Sequence, residues 1–246
     1  MQNRNSNSQI WREAVTLRRN RRAKYVRLRI YPPGQVEVVI PHNFDERALP
    51  QILEQHTPWV EERLRHYSTQ ERFQLAPPQW LNLEAIEERW RVEYQPGNGQ
   101  RSSCRTPGEG ELVIAAPTPE QQREMLKRWL ARRAKEVLPP WLEQTSRELS
   151  LPFSGVSIRG QRTRWGSCSS RGAINLNYAL LFLQPDLVRY LFVHELCHTV
   201  HLNHSRKFWA LVKEKEPHYR SYEQALKQAS AQVPTWLYMP FQIAPS

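Results

Sequence analysis

Nine glycines and only two aspartates are few for a chain of 246 residues, and each scarcity closes off a class of chemistry. Gly97 with Gly99 and Gly108 with Gly110 are the only close glycine pairs. Neither completes a dinucleotide-binding fingerprint or a phosphate-binding loop with its Lys-Ser/Thr, so nucleotide chemistry of the usual kind is not expected. With Asp45 and Asp186 as the only aspartates against 22 glutamates, an aspartate-built two-metal site or aspartic dyad is hardly available. Three cysteines, at 104, 168 and 197, cannot form a complete disulfide framework, and free thiols in a reducing compartment are expected. No apolar run approaches the roughly 18 residues that span a bilayer, and MQNRNSNSQIW lacks a signal peptide's apolar segment. The expectation is a soluble, cytoplasmic protein with no membrane partner.

What is abundant is positive charge. The net charge is +11, and the first 30 residues hold eight Arg and one Lys against a single Glu. Such a surface attracts anionic partners, nucleic acid being the commonest, although a solvated basic face is the default reading and, with 28 Arg against seven Lys, codon bias accounts for part of the excess. The patches Arg18 to Lys24 and Arg159 to Arg171, interleaved with Tyr25 and Trp165, suit single-stranded nucleic acid or an acidic substrate without containing a specific motif.

Periodicity organises the chain as an α+β protein. Residues 1–14 read as a flexible N-terminus, 15–118 as a β-rich part and 119–246 as the core that carries the chemistry. Val26, Leu28 and Ile30 alternate with polar residues, Pro32-Pro33-Gly34 turns the chain, and Val36, Val38 and Ile40 alternate again, which predicts a hairpin. Ile52, Leu53, Trp59, Val60 and Leu64 recur at helical spacing before Pro77-Pro78. A second strand pair is expected at 90–94 and 112–115. Thr118-Pro119-Glu120-Gln121 combines an N-cap, a proline at the first helical position and a glutamine at the third, a strong helix start and the expected module boundary. Pro139-Pro140 is expected to end that helix or bend it into another near Glu148. Strands follow around Val156 and Ile158 and from Ile174 to Tyr178, then a helix from Pro185 through Val200.

Five of the eight histidines lie between 194 and 218, four of them within His194-Glu195-Leu196-Cys197-His198-Thr199-Val200-His201-Leu202-Asn203-His204. On a helix, His194 and His198 share a face one turn apart and can offer two imidazoles to one Zn²⁺. Glu195 projects beside them, placed to accept a proton from an activated water without occupying a coordination position. His201 and His204 compete as third ligand. His201 lies two turns, roughly 10 Å, from His194 while the helix persists, too far to share an ion. A ligand beyond a helix break fits better, so His204 is chosen, with Asn203 as a left-handed cap that reverses the chain and His201 as a supporting or substrate-contacting residue. Leu191, Phe192, Val193 and Leu196 imply a buried helix, where unpartnered imidazoles are costly. A closed structural zinc site usually has four protein ligands, frequently thiolates. Cys197 is better read as a small apolar contact. Cys168, in Trp165-Gly166-Ser167-Cys168, invites a thiol-nucleophile reading, set aside because the histidines are committed elsewhere.

The segments His194-Glu195-Leu196-Cys197-His198 and Asn203-His204-Ser205-Arg206-Lys207-Phe208-Trp209 resemble the HELxH and NHSxxFW signatures of the YgjP-like metal-dependent hydrolases, relatives of the SprT-like and WLM-type zincin proteases. Arg164-Trp165-Gly166-Ser167-Cys168-Ser169 is similar to the family's upstream RWGSCS segment, and Ile40-Pro41 to Phe44 to its N-terminal half. The resemblance covers residues 15 to 220 and is weakest between 70 and 118. It implies a zincin-like metallopeptidase core with an HExxH active-site helix, zinc ligands His194, His198 and His204, Glu195 as general base, and a peptide or protein substrate. The metzincins share the spacing HExxHxxxxxH. They carry Gly where this chain has His201, however, and a Met-turn for which only Met239 could stand in, so that reading is discounted. Tyr178, His201, His218 and Tyr219 are candidates for the oxyanion helper. Zincins hold an extended substrate along an edge strand, a role for which Ile174 to Tyr178 is the candidate, the alternative being sheet core. The alternatives are a basic nucleic-acid-associated protein with structural zinc and a protease recruited by DNA.

Overall fold

In the computed structural model, residues 15–31, 35–69, 77–97, 102–161 and 163–237 are described. The expected flexible N-terminus, the Pro32-Pro33-Gly34 turn and Met239 lie outside them. The chain divides into two compact units, Met1–Leu75 with Tyr238–Ser246 and Ala76–Leu237.

In the first unit, β2 (Arg27–Tyr31) and β3 (Gln35–Pro41) pair antiparallel as the alternation predicts, with Leu28 opposite Val38. A further strand, β1 (Thr16–Asn20), pairs parallel with β3 on its other side. Val36, Val38 and Ile40 point to one face of the sheet, where Leu53 and Val60 of helix α1 (Leu49–Thr69) complete a small core. Trp59 lies off that stripe and is 43% exposed.

The second unit holds a four-stranded sheet in the order β4-β5-β7-β6: β4 (Trp80–Leu83), β5 (Glu88–Gln95), β6 (Ser103–Arg105) and β7 (Glu111–Ala115). The expected pair β5 and β7 is present but runs parallel, because β6 intervenes in the chain and takes the antiparallel place beside β7. Helix α2 (Pro119–Leu149) starts where the capping residues place it, with Thr118 Oγ1 accepting from the Gln121 amide. It does not stop at Pro139-Pro140, and no separate helix begins near Glu148. Ala134 and Leu138 before the prolines and Leu142 after them are fully buried, and that burial outweighs the backbone hydrogen bonds the two prolines forgo.

Helix α2 also explains why the units do not divide at Thr118. It packs on β6 and β7, with Trp129 meeting Trp90 of β5 edge-on at 4.9 Å, and on β8 (Gly155–Arg159) of the next sheet. The four-stranded sheet and the site-bearing elements are therefore one unit. The next sheet has the order β8-β10-β9, with β9 (Gly166–Cys168) antiparallel and β8 parallel to the central β10 (Ala173–Asn177). A 3₁₀ turn, Tyr178–Phe182, leads to α3 (Pro185–Cys197), then α4 (Arg206–Lys215) and α5 (Tyr219–Gln228). Helix α3 is buried over most of its surface: Tyr190, Phe192, Val193 and Leu196 are inaccessible, and Phe192 meets Trp141 of α2 edge-on at 5.2 Å. No helix among the described residues is long and apolar enough to cross a membrane.

Candidate metal centre and its carboxylate

Helix α3 ends at Cys197, three residues before the expected Val200, with His198 as its C-cap. The Val200 and His201 amides both turn back to the Cys197 carbonyl, and Thr199 Oγ1 donates to that of Leu196. Asn203 is not left-handed: the non-glycine residues with positive φ among those described are Glu87 and Ser150. The reversal comes instead from this succession of turn bonds and from a new helix start, where Ser205 caps α4 by accepting from the Phe208 amide. The result is the one the helix break called for, since His204 is carried back beside His194.

The imidazoles of His194, His198 and His204 present nitrogens that all lie within 4.8 Å of one another, a group that could hold a metal ion. His194 Nε2 and His204 Nε2 are 3.1 Å apart. Two nitrogens bound tetrahedrally to one zinc at about 2.05 Å would be about 3.3 Å apart, so the spacing suits such an ion. His198 Nδ1 lies 3.0 Å from the His201 carbonyl. A carbonyl only accepts, so Nδ1 carries the proton and Nε2 keeps its lone pair for a metal. Burial, with lesser help from the neighbouring imidazoles, holds the pKa of His198 and His204 below the usual histidine value, which favours the neutral, ligating form. Phe208, fully buried, floors the group: its ring stacks on His198 at 4.4 Å and meets His194 and His204 at 5.1 and 4.8 Å. Trp209 is half-buried and stacks between His204 and Tyr219.

Glu195, one residue and about 100° round the helix from His194, is only 5% exposed, and its Oε2 is buried with no hydrogen-bond partner among the described residues. Burial drives its pKa up to about 7, against the pull of His194 and Arg164. It faces β9 so closely that a Cβ added to Gly166 would fall 2.6 Å from Glu195 Oε1. This contact gives the Trp165-Gly166-Ser167-Cys168 segment a physical reason: glycine leaves the room the carboxylate occupies. Burial and the Glu195 charge push the Cys168 thiol up to about 11, so it stays protonated at neutral pH, and Cys197, inaccessible in the core, is pushed to about 12.

Two sequence expectations about the surroundings change. Strand β10 is the centre of its sheet and cannot accept an added strand, whereas β9, beside Glu195, lies at the edge. The oxyanion candidates are dispersed: Tyr178 packs against Gly160, His201 offers its backbone carbonyl to His198, exposed His218 precedes α5, and Tyr219 reaches His204 only through Trp209. The sequence reading missed Glu223. Its Oε1 lies 3.3 Å from His194 Nδ1, an ion-pair approach in which the buried nitrogen makes no aligned hydrogen bond, and accepts from Tyr190 Oη at 2.7 Å. The signal was available in α5, where Tyr219, Tyr222, Glu223 and Leu226 recur at i, i+3, i+4 and i+7 and put a carboxylate on the inward stripe. In the first unit, part of the basic patch is spent internally: Arg18 and Arg29 flank Glu37, and Arg19 pairs with Glu46.

A family model described as YgjP-like, metallopeptidase domain, matches residues 24–229. Among solved structures, the metallopeptidase zymogen of Pyrococcus abyssi abylysin is similar at 26% identity, covering 35% of this chain and 89% of that one, with a TM-score of 0.32. The metallopeptidase zymogen of Methanocaldococcus jannaschii jannalysin is similar at 20% identity over 35% and 90%, also at 0.32. No curated protein matches the chain.

Proposed function

Since the chain belongs to the YgjP-like metallopeptidase family, we propose that it hydrolyses peptide bonds with a zinc ion held by His194, His198 and His204 and with Glu195 as general base, in a zincin-like core. The observation that carries this reading is the meeting of three ligand-competent imidazoles with a buried carboxylate that has no hydrogen bond of its own on Oε2. Zinc, when bound, lowers the pKa of water toward neutrality and polarises the scissile carbonyl. The rest is done by side chains. Glu195 receives the proton of the attacking water on its carboxylate and returns it to the leaving amine, and a carboxyl with a pKa near 7 is matched to both transfers. Gly166 keeps that carboxylate in place, and Phe208 keeps the imidazoles facing one another. The unpaired edge of β9, running past Glu195, is where an extended peptide would add as a strand.

The test is zinc content together with hydrolysis of an unfolded protein substrate, for wild type and Glu195→Gln. One zinc in both and cleavage only by wild type is the expected result. Zinc without cleavage would favour a structural metal, and wild-type protein that takes up no zinc would overturn the reading.

A further inference from the structure

We propose that Glu223 is a positioning residue for the metal site, holding His194 by its Nδ1 with Tyr190 as its own anchor; this rests on the reading of His194 as a ligand. Tyr190 and His194 are four residues apart on α3 and so share a face, and both meet the same carboxylate oxygen, Oε1 of Glu223, at 2.7 and 3.3 Å. Tyr190 is inaccessible to solvent and stacks on Tyr222, the neighbour of Glu223, with centroids 5.4 Å apart and planes 19° apart. The phenol donates to Glu223 and thereby selects the oxygen, and the rotamer, that reach the imidazole.

The two nitrogens of an imidazole diverge. With Nε2 of His194 turned to His204 at 3.1 Å, its Nδ1 is turned away from the metal position, toward α5. Glu223 is thus placed behind the ligand, where it cannot compete as a fourth donor. A carboxylate only accepts, so it favours the tautomer with the proton on Nδ1 and a free lone pair on Nε2. The His201 carbonyl does the same for His198. The two helix-borne histidines therefore each face an acceptor on the distal nitrogen: His198 is hydrogen-bonded to a neutral carbonyl, and His194 lies at 3.3 Å from a carboxylate without hydrogen-bond alignment in the metal-free protein. The charged one also adds electron density to its ligand.

The experiment uses the full chain. Zinc affinity is measured by competition with a chromophoric chelator for wild type, Glu223→Gln, Glu223→Ala and Tyr190→Phe, with Glu214→Gln, an exposed carboxylate on α4, as the control for loss of one negative charge. In parallel, long-range ¹⁵N correlation spectra of the metal-free proteins report the His194 tautomer. The expected result is a 10- to 100-fold weaker affinity for Glu223→Ala, a smaller loss for Glu223→Gln and Tyr190→Phe, and none for Glu214→Gln. The His194 tautomer should shift away from Nδ1–H in Glu223→Ala. If Glu223→Ala does not fold, Glu223→Gln, which keeps the size and the Tyr190 contact, decides the matter. Affinities within twofold of wild type in every variant, with an unchanged tautomer, would overturn the proposal while leaving the metal reading intact. Wild-type protein that binds no zinc would overturn the metal reading, and the metal-free spectra would then decide alone whether Glu223 holds His194.

Discussion

The closest fit in the site is between Gly166 and Glu195, and it yields a sharp expectation for Gly166→Ala. The three atoms nearest to an added Cβ all belong to Glu195: Oε1 at 2.6 Å, and Cδ and Cγ at 2.9 Å each. Ordinary carbon contacts begin near 3.4 Å, so the carboxylate must retreat by about 0.8 Å and its stem by about 0.5 Å. A surface glutamate would swing aside, but this one is 5% exposed, on a helix whose neighbouring Val193 and Leu196 are fully buried. A displacement approaching 1 Å of a general base is expected to lower kcat on the order of 10²-fold. The overpacking itself should destabilise by roughly 1–3 kcal/mol. Zinc content should be unchanged, because none of those three atoms belongs to a histidine. The decisive assay is a double-mutant cycle read by chemical denaturation, since Glu195→Ala empties the space that the added methyl group would need. In that background Gly166→Ala should cost almost nothing, leaving a coupling of about 1–3 kcal/mol. Wild-type kcat for Gly166→Ala, or equal destabilisation in both backgrounds, would refute the reasoning.

Two further outcomes follow from buried polar groups. Asn177 is 3% exposed; its amide donates to the carbonyls of Gln161 and Arg164, and its oxygen accepts from the Ala179 amide, so Asn177→Ala strands three backbone groups. A loss of about 3 kcal/mol, or a melting temperature lower by roughly 6–12 °C, is expected by calorimetry, and an unchanged transition would contradict it. In the metal-free protein, Glu195 is raised from its usual 4.5 to about 7 by burial, so the folded state holds this proton more tightly than the unfolded one. Its contribution is then fully present below pH 4.5 and is lost as pH rises to about 7, amounting to roughly 3 kcal/mol relative to Glu195→Gln. Urea denaturation of the metal-free pair at pH 4.5, 6 and 8 would show the gap; parallel pH profiles would exclude it.

What the sequence made legible divides along a physical line. Local signals were read correctly wherever one segment decides its own conformation: the alternation of β2 and β3, the Thr118 cap, and the i, i+4 spacing that brings His194 beside His198. Signals that depend on who packs against whom were misread. Pro139-Pro140 reads as a break because proline removes local bonds, yet the outcome belongs to buried Leu138 and Leu142, whose partners are distant in the chain. Strand β10 reads as a plausible edge because its alternation is silent about neighbours, and only the return of β8 and β9 puts it in the centre. His204 illustrates the same division from the other side: geometry required a helix break before it, and the break exists, but it is built from backbone turn bonds rather than a left-handed Asn203. The supporting acceptors of the site follow suit. One is the backbone carbonyl of His201, a group every residue carries and no motif can mark, and the other is Glu223, whose place on the inward stripe of α5 the spacing marks but whose partners in α3 it does not. A histidine motif thus announces which imidazoles meet, while the atoms that would orient them come from packing and must be found in three dimensions.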